Sequence, residues 1–187
     1  EKNIWEYQST DFYVKKGTAI SSLMFLKAKY DALGTFIKVK GRLVGGGHQQ
    51  DRELYGDLSS PTVALESLFI ILGIAAKEDM NFITVDITGA YLECELPEND
   101  NVHMWIAKDV VPFLIKIDPE AKKYINRDGK IMVKLKKALY GTVQASKLWY
   151  DKLTSVLEKF NYEQHPEDKC VYAKYSSTGI VLIAFHV

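Results

Sequence analysis

The chain has 187 residues and no formal net charge, 24 basic side chains standing against 24 acidic ones, which excludes a uniformly basic nucleic-acid wrapper and an acidic tail protein. At 47% hydrophobic and 26% charged it has the composition of one globular domain with material for a real core, and disorder is not expected. Cys94 and Cys170 form no Cys-x-x-Cys and give neither a disulfide framework nor a zinc ribbon, so the expected setting is reducing and intracellular.

No linker, repeat or low-complexity segment divides residues 1–187, and one domain or most of one is expected. The chain opens Glu1-Lys2-Asn3 and stops inside an apolar run, so both ends read as cut. Residues 23–29 and 35–44 suit two strands, joined by Tyr30-Asp31-Ala32-Leu33-Gly34, which has the Asp and Gly of a hairpin turn. Gly45-Gly46-Gly47 ends the second strand as a bend. Ser60-Pro61 offers a capping hydroxyl and a first-turn proline to a helix over 61–78, with Leu65, Leu68, Phe69, Leu72 and Ala76 at helical spacing. Glu66 and Ser67 interrupt its apolar run, so it falls short of a membrane span, and no membrane partner or secretory leader is expected. Residues 81–87, Asn-Phe-Ile-Thr-Val-Asp-Ile, are rich in β-branched and aromatic types and predict a strand buried on both faces. Further on, the pattern predicts strands over 102–107 and 131–135, a short helix over 119–124 and a helix over 144–160. Trp149, Leu153, Val156, Leu157 and Phe160 share a face of that last helix, and Asn161 suits its end. A terminal hairpin turns at Ser176-Ser177-Thr178, and its apolar second arm predicts a central strand.

Charge is balanced overall but clustered locally. Residues 27–52 hold six basic side chains against two acidic ones, and residues 122–147 hold eight against Asp128 alone. Such patches suit a phosphate backbone; two solvated faces are the alternative. Asp86 ends a predicted buried strand, where an acid costs several kcal/mol unless it is paired or binds a metal. It is read either as a ligand beside the tight Gly89-Ala90 turn or as a cap on that turn. Gly45-Gly46-Gly47 lacks the Gly-Lys-Ser/Thr of a Walker loop, and Ser59 and Ser60 lack the glycines of a nucleophile elbow. No histidine has a partner at metal-ligand spacing; Cys94 with His103 and His165 with Cys170 are loose pairs only.

These motifs stand in one order: Lys-Gly-Arg-Leu-Val at 40–44, Ser-Pro at 60–61, Val-Asp-Ile-Thr-Gly-Ala-Tyr-Leu at 85–92, Lys-Lys-Ala-Leu-Tyr-Gly at 136–141, Gln144-Ala145 and Leu148-Trp149-Tyr150. The order resembles the reverse transcriptase domain of copia-type LTR retrotransposon polyproteins, from about Phe25 to Val187. The resemblance implies an α/β (α+β) right-hand polymerase, fingers hairpin at about 23–44 and palm parts at about 80–107 and 131–187, with an antiparallel sheet carrying Asp86 and the terminal strand, backed by the two long helices. The thumb, ribonuclease H and, in some polyproteins, integrase would lie elsewhere in the polyprotein.

The implied activity is RNA-directed DNA polymerisation with Mg²⁺ or Mn²⁺, a primed RNA or DNA template and deoxynucleoside triphosphates, in a cytoplasmic virus-like particle or the nucleus. By resemblance, Asp86 is the first catalytic carboxylate and the Ile87 carbonyl helps hold the metal; two ions would activate the primer hydroxyl and stabilise pyrophosphate. Lys29 and Arg42 resemble a triphosphate-gripping pair, Tyr91 the aromatic that excludes a 2′-hydroxyl, and Gln144 a contact to the nucleotide 3′-hydroxyl. Without the family, Tyr91 reads equally as core packing. Lys38, Lys40, Lys134, Lys136 and Lys137 are the expected phosphate contacts. The family usually has Ala-Arg-Gly where this chain has Gly45-Gly46-Gly47 and Gln-Ala-Pro-Arg where it has Gln144-Ala145-Ser146-Lys147, and continues with paired aspartates after the equivalent of Val187. The fragment is therefore expected to bind nucleic acid without polymerising; the rival expectation is a non-catalytic nucleic-acid-binding or interaction domain from a decayed retroelement.

Overall fold

The computed structural model describes residues 3–12 and 19–187. The chain divides into two compact units, residues 1–56 with 91–145 and residues 57–90 with 146–187. Among the described residues the strands are β1 (Trp5–Tyr7), β2 (Ala19–Tyr30), β3 (Phe36–Gly45), β4 (His103–Ile106), β5 (Ile131–Leu135), β6 (Glu163–Gln164), β7 (Val171–Ser176) and β8 (Gly179–Ala184). The helices are α1 (Leu65–Lys77), α2 (Val111–Ile117) and α3 (Ala145–Lys159). This is a mixed α/β chain. No helix among the described residues is long and apolar enough to cross a membrane.

The first unit holds a five-stranded sheet in the order β1-β5-β4-β2-β3. Its core is built from Ile20, Met104, Ile106, Ile131, Val133 and Leu135, all almost fully buried. β2 runs parallel to β4 over Ala19–Ser21, so this sheet is mixed, whereas the sheet that holds the terminal strand is antiparallel, as expected. Beyond that stretch β2 pairs, among the described residues, only with β3, and the two continue as a two-stranded ribbon closed at Asp31, whose Oδ1 accepts from the N–H groups of Leu33 and Thr35. Gly34 takes a left-handed φ of 82° in this turn, as the sequence anticipates.

Gly45-Gly46-Gly47 is more than a bend. The N–H of Gly45 donates to the Tyr140 carbonyl at 2.7 Å and that of Gly47 to the Gly141 carbonyl at 3.0 Å. A Cβ on Gly47 would lie 2.0 Å from the Gly141 oxygen, and one on Gly141 would lie 2.3 Å from the Gly45 oxygen. Glycine is required because two backbones cross in contact.

The second unit holds α1, most of α3 and a three-stranded sheet in the order β6-β7-β8. β8 is therefore an edge strand and β7 the central one, correcting the expected arrangement: β6 pairs on the far side of β7. α1 starts at Leu65 instead of residue 61. The N–H of Ala64 donates to Asp168 Oδ2 and the Pro61 carbonyl accepts from the buried Cys170 thiol, bonds that hold this approach extended. Burial, with the nearby Asp168 charge adding to it, pushes the Cys170 thiol up to about 11. α3 turns Tyr150, Thr154 and Leu157 inward and leaves Phe160 60% exposed, a face rotated from the predicted one. Its end at Asn161, φ 59°, agrees with the sequence.

Residues 81–87 form no strand, and every one of them is exposed, against the expectation of a doubly buried strand. They make no ladder with β8 or any other described strand, so Asp86 is carried on no sheet. Their β-branched composition fits a pleated surface, but a strand exists only where a neighbour completes its hydrogen bonds, and here no described residue does.

Candidate functional site

The β2–β3 ribbon separates its side chains by the period-2 rule. Directly opposed pairs Phe25 with Arg42, Lys27 with Lys40 and Lys29 with Lys38 share one face. Met24 with Leu43, Leu26 with Gly41 and Ala28 with Val39 share the other. Five cations thus stand in three rows roughly 7 Å apart on an exposed surface. Among the described residues none of the five is in an ion pair. Lys29 and Arg42 share this face but lie four positions apart along the ladder, roughly 13 Å, and not directly opposite each other.

Arg42 stands at the base of the ribbon, where its guanidinium lies 5.8 Å from the centroid of the Tyr140 ring. Tyr91, on a 3₁₀ turn over Ala90–Glu93, places its ring 4.5 Å from that same ring with the planes tilted by 55°. Burial, and then the nearby Tyr140 hydroxyl, raises the Tyr91 hydroxyl above its ordinary range. Two residues singled out separately from the sequence, Arg42 and Tyr91, therefore meet against a third, Tyr140. Its motif, Lys-Lys-Ala-Leu-Tyr-Gly, was legible; its part in the site was not.

Gln144 is only 4% exposed. Its Nε2 donates to Asp100 Oδ2 at 3.0 Å, and its Oε1 accepts from Gln50 Nε2 at 3.1 Å. Gln50 also donates to the Tyr55 hydroxyl at 2.8 Å, and its Oε1 accepts from the Val143 N–H at 3.0 Å. Burial raises the Tyr55 hydroxyl, with Asp100 adding to the shift against the opposing hydrogen bond from Gln50. The amide is thus held at both ends by residues of its own chain. Nothing in the local sequence around Gln50 or Asp100 announced this network, because its members are far apart in the chain.

Lys134, Lys136 and Lys137 line a cavity of about 670 Å³ together with Glu6, Glu95, Glu98 and Asp100. Glu6 is the cross-strand neighbour of Lys134 and lies 3.1 Å from the Lys136 ammonium. Glu95 bridges to Lys137 through the backbone. The predicted phosphate contacts here share their space with carboxylates, unlike Lys38 and Lys40 on the ribbon.

Asp86 and Ile87 belong to the second unit, on the exposed segment 81–87. Among the described residues no group of three or more His, Cys, Asp or Glu side chains is placed to hold a metal ion.

The family described as reverse transcriptase (RNA-dependent DNA polymerase) matches residues 7–187. The chain is similar to the retrovirus-related Pol polyprotein from transposon TNT 1-94 of Nicotiana tabacum, 28% identical over 163 residues, 86% of this chain and 11% of that protein. It is similar to the retrovirus-related Pol polyprotein from transposon RE1 of Arabidopsis thaliana, 27% identical over 172 residues, 91% of this chain and 11% of that protein. It therefore spans about a tenth of the length of these curated relatives. No solved structure matches the chain.

Proposed function

Because the chain belongs to the reverse transcriptase (RNA-dependent DNA polymerase) family, we propose that it supplies nucleotide- and template-binding surfaces of an RNA-directed DNA polymerase carried in a retrotransposon polyprotein. In this reading the β2–β3 ribbon is the fingers hairpin, and the stretches at about 80–107 and 131–187, which include β4, β5, α3 and the β6-β7-β8 sheet, are palm. The observation that carries it is the meeting of Arg42 and Tyr91 on one ring at the base of a ribbon with five cations on one face. Cations so placed neutralise the triphosphate of a deoxynucleotide, where negative charge grows as the leaving group departs. Lys27, Lys38 and Lys40 then contact the backbone of the primed template. The Tyr91 ring excludes a 2′-hydroxyl by shape. Gln144 acts on the nucleotide only if its bonds to Asp100 and Gln50 open, and Lys134, Lys136 and Lys137 contribute less, their charge being offset by the carboxylates around them.

The described residues do not by themselves fit the Mg²⁺ or Mn²⁺ that reverse transcriptases use: Asp86 is an exposed carboxylate with no cluster of ligands about it. The Asp86 carboxylate and the Ile87 carbonyl are the two candidate donors that this segment offers such an ion.

The test has two arms. Anisotropy of a labelled primer–template on the 187-residue protein should show binding that weakens linearly with log salt, with a shallower slope after Lys27, Lys38 and Lys40 are replaced by alanine. Primer extension by a polyprotein of the relatives' length should fall by roughly a hundredfold or more on Asp86→Asn. Salt-independent binding, or extension indifferent to Asp86, would reject the reading; binding without any extension in the long chain would leave a non-catalytic nucleic-acid-binding domain.

A further inference from the structure

We propose that Tyr140 is a specificity-determining residue of the nucleotide site, a positioning residue whose ring sets the place of both Tyr91 and Arg42. The inference rests on the reading that those two residues bind a deoxynucleoside triphosphate.

Three observations carry it. The first is the shared contact itself: the Tyr91 ring at 4.5 Å and the Arg42 guanidinium at 5.8 Å from one tyrosine. The second is the rigidity of what bears that tyrosine. Its carbonyl accepts from Gly45 N–H at 2.7 Å, the next residue is a left-handed glycine at φ 87°, and the Gly47 and Gly141 backbones cross with no room for a Cβ. Leu139 and Ala138, just before it, are buried at 4% and 0%. The third is the state of the alternatives. Arg42 is exposed on the ribbon and in no ion pair among the described residues, and Gln144 has its amide held by Asp100 and Gln50.

Steric exclusion of a 2′-hydroxyl works only if the excluding ring cannot retreat by a fraction of an ångström. A tilted aromatic neighbour on an immovable backbone supplies that stop. The same ring attracts a guanidinium over its face and narrows the rotamers of Arg42 toward the Tyr91 side of the site. Sugar selection and triphosphate grip are thereby coupled through one side chain. The coupling needs the ring and not the hydroxyl, so phenylalanine should replace tyrosine without loss.

The experiment measures dATP and ATP affinity by isothermal titration on the 187-residue protein, with thermal melting to confirm that each variant folds. Wild type and Tyr140→Phe should share one preference for dATP, Tyr140→Leu should lose roughly three- to fivefold of that preference and weaken dATP binding by a similar factor, and Tyr91→Val should lose the preference as well. Wild type without preference, or Tyr91→Val without effect, would reject the nucleotide-site reading and this inference with it. Loss of preference in Tyr91→Val but not in folded Tyr140→Leu, or loss in Tyr140→Phe, would overturn the role of Tyr140 alone. Should Tyr140→Leu fail to fold, Tyr140→Trp decides: its larger ring must displace Tyr91 and change the ratio about threefold, and an unchanged ratio refutes the inference.

Discussion

The Asp168 carboxylate accepts from the Ala64 N–H through Oδ2 and from the Cys170 N–H through Oδ1, each at 2.9 Å. It thereby fixes the residue at which α1 begins from more than a hundred residues away, where local spacing favours a cap by the Ser60 hydroxyl. Partial burial opposes the charge on Asp168, but hydrogen bonds from Ser67, Ala64 and Cys170 outweigh it and hold the carboxyl below its ordinary range. A depressed folded value means that the stabilisation is complete above the unfolded value, near 3.9, and is lost as pH falls through the folded one. Asp168→Ala should cost about 1–2 kcal/mol at pH 7. Urea unfolding at pH 7 and pH 3 checks this: the gap between wild type and variant should narrow on acidification, and a gap independent of pH would show that the carboxylate charge plays no part.

At the scale of the element, the β2–β3 ribbon sets Lys27 opposite Lys40 and Lys29 opposite Lys38. Like charges directly across a ladder destabilise it by a few tenths of a kcal/mol each, a cost that suits a surface kept for polyanions. Lys27→Glu should therefore raise stability by about 0.5 kcal/mol at low salt while weakening nucleic-acid binding. Thermal melting at 20 mM and at 500 mM salt separates the effects: added salt should stabilise wild type more than the variant. Equal salt responses would mean that the ammonium groups splay too far apart to repel. The apparent charge of residues 122–147 behaves differently, because Lys123 pairs with Glu120, Lys136 with Glu6 and Lys147 with Asp151. A window along the chain counts cations but cannot see acids that folding or the next helical turn brings beside them.

Across the whole molecule, burial is uneven. β4 and β5 contribute Met104, Ile106, Ile131 and Val133, each at 0% exposure, whereas α1 has no buried residue and Phe82, Ile83 and Val85 are 65–80% exposed. Among the described residues, 81–87 make no backbone hydrogen bond in a turn, loop or ladder. Native-state hydrogen exchange should find the amides of 81–87 protected less than about tenfold, α1 intermediate, and β4 and β5 the slowest, near the global opening limit. Strong protection over 81–87 would show that the segment pairs in solution.

Local signals in the chain determined the ribbon, β5 at 131–135, the short helix at 119–124, which the structure makes 3₁₀, the body of α3 with its Asn161 end, and the terminal hairpin, since turn chemistry and short-range periodicity suffice for such elements. The motif order also determined the family, because several independent residues had to agree in sequence. Tertiary structure alone decided that α1 begins at Leu65, that β8 lies at an edge, that 81–87 pairs with no described strand, and that Arg42 and Tyr91 meet on Tyr140. Each of these depends on a partner distant in the chain: a carboxylate for a helix end, a neighbouring strand for a strand, a rigid glycine crossing for a ring. Periodicity reports which face of a segment is apolar, but the hydrogen bonds and contacts that complete it are supplied by chain elsewhere.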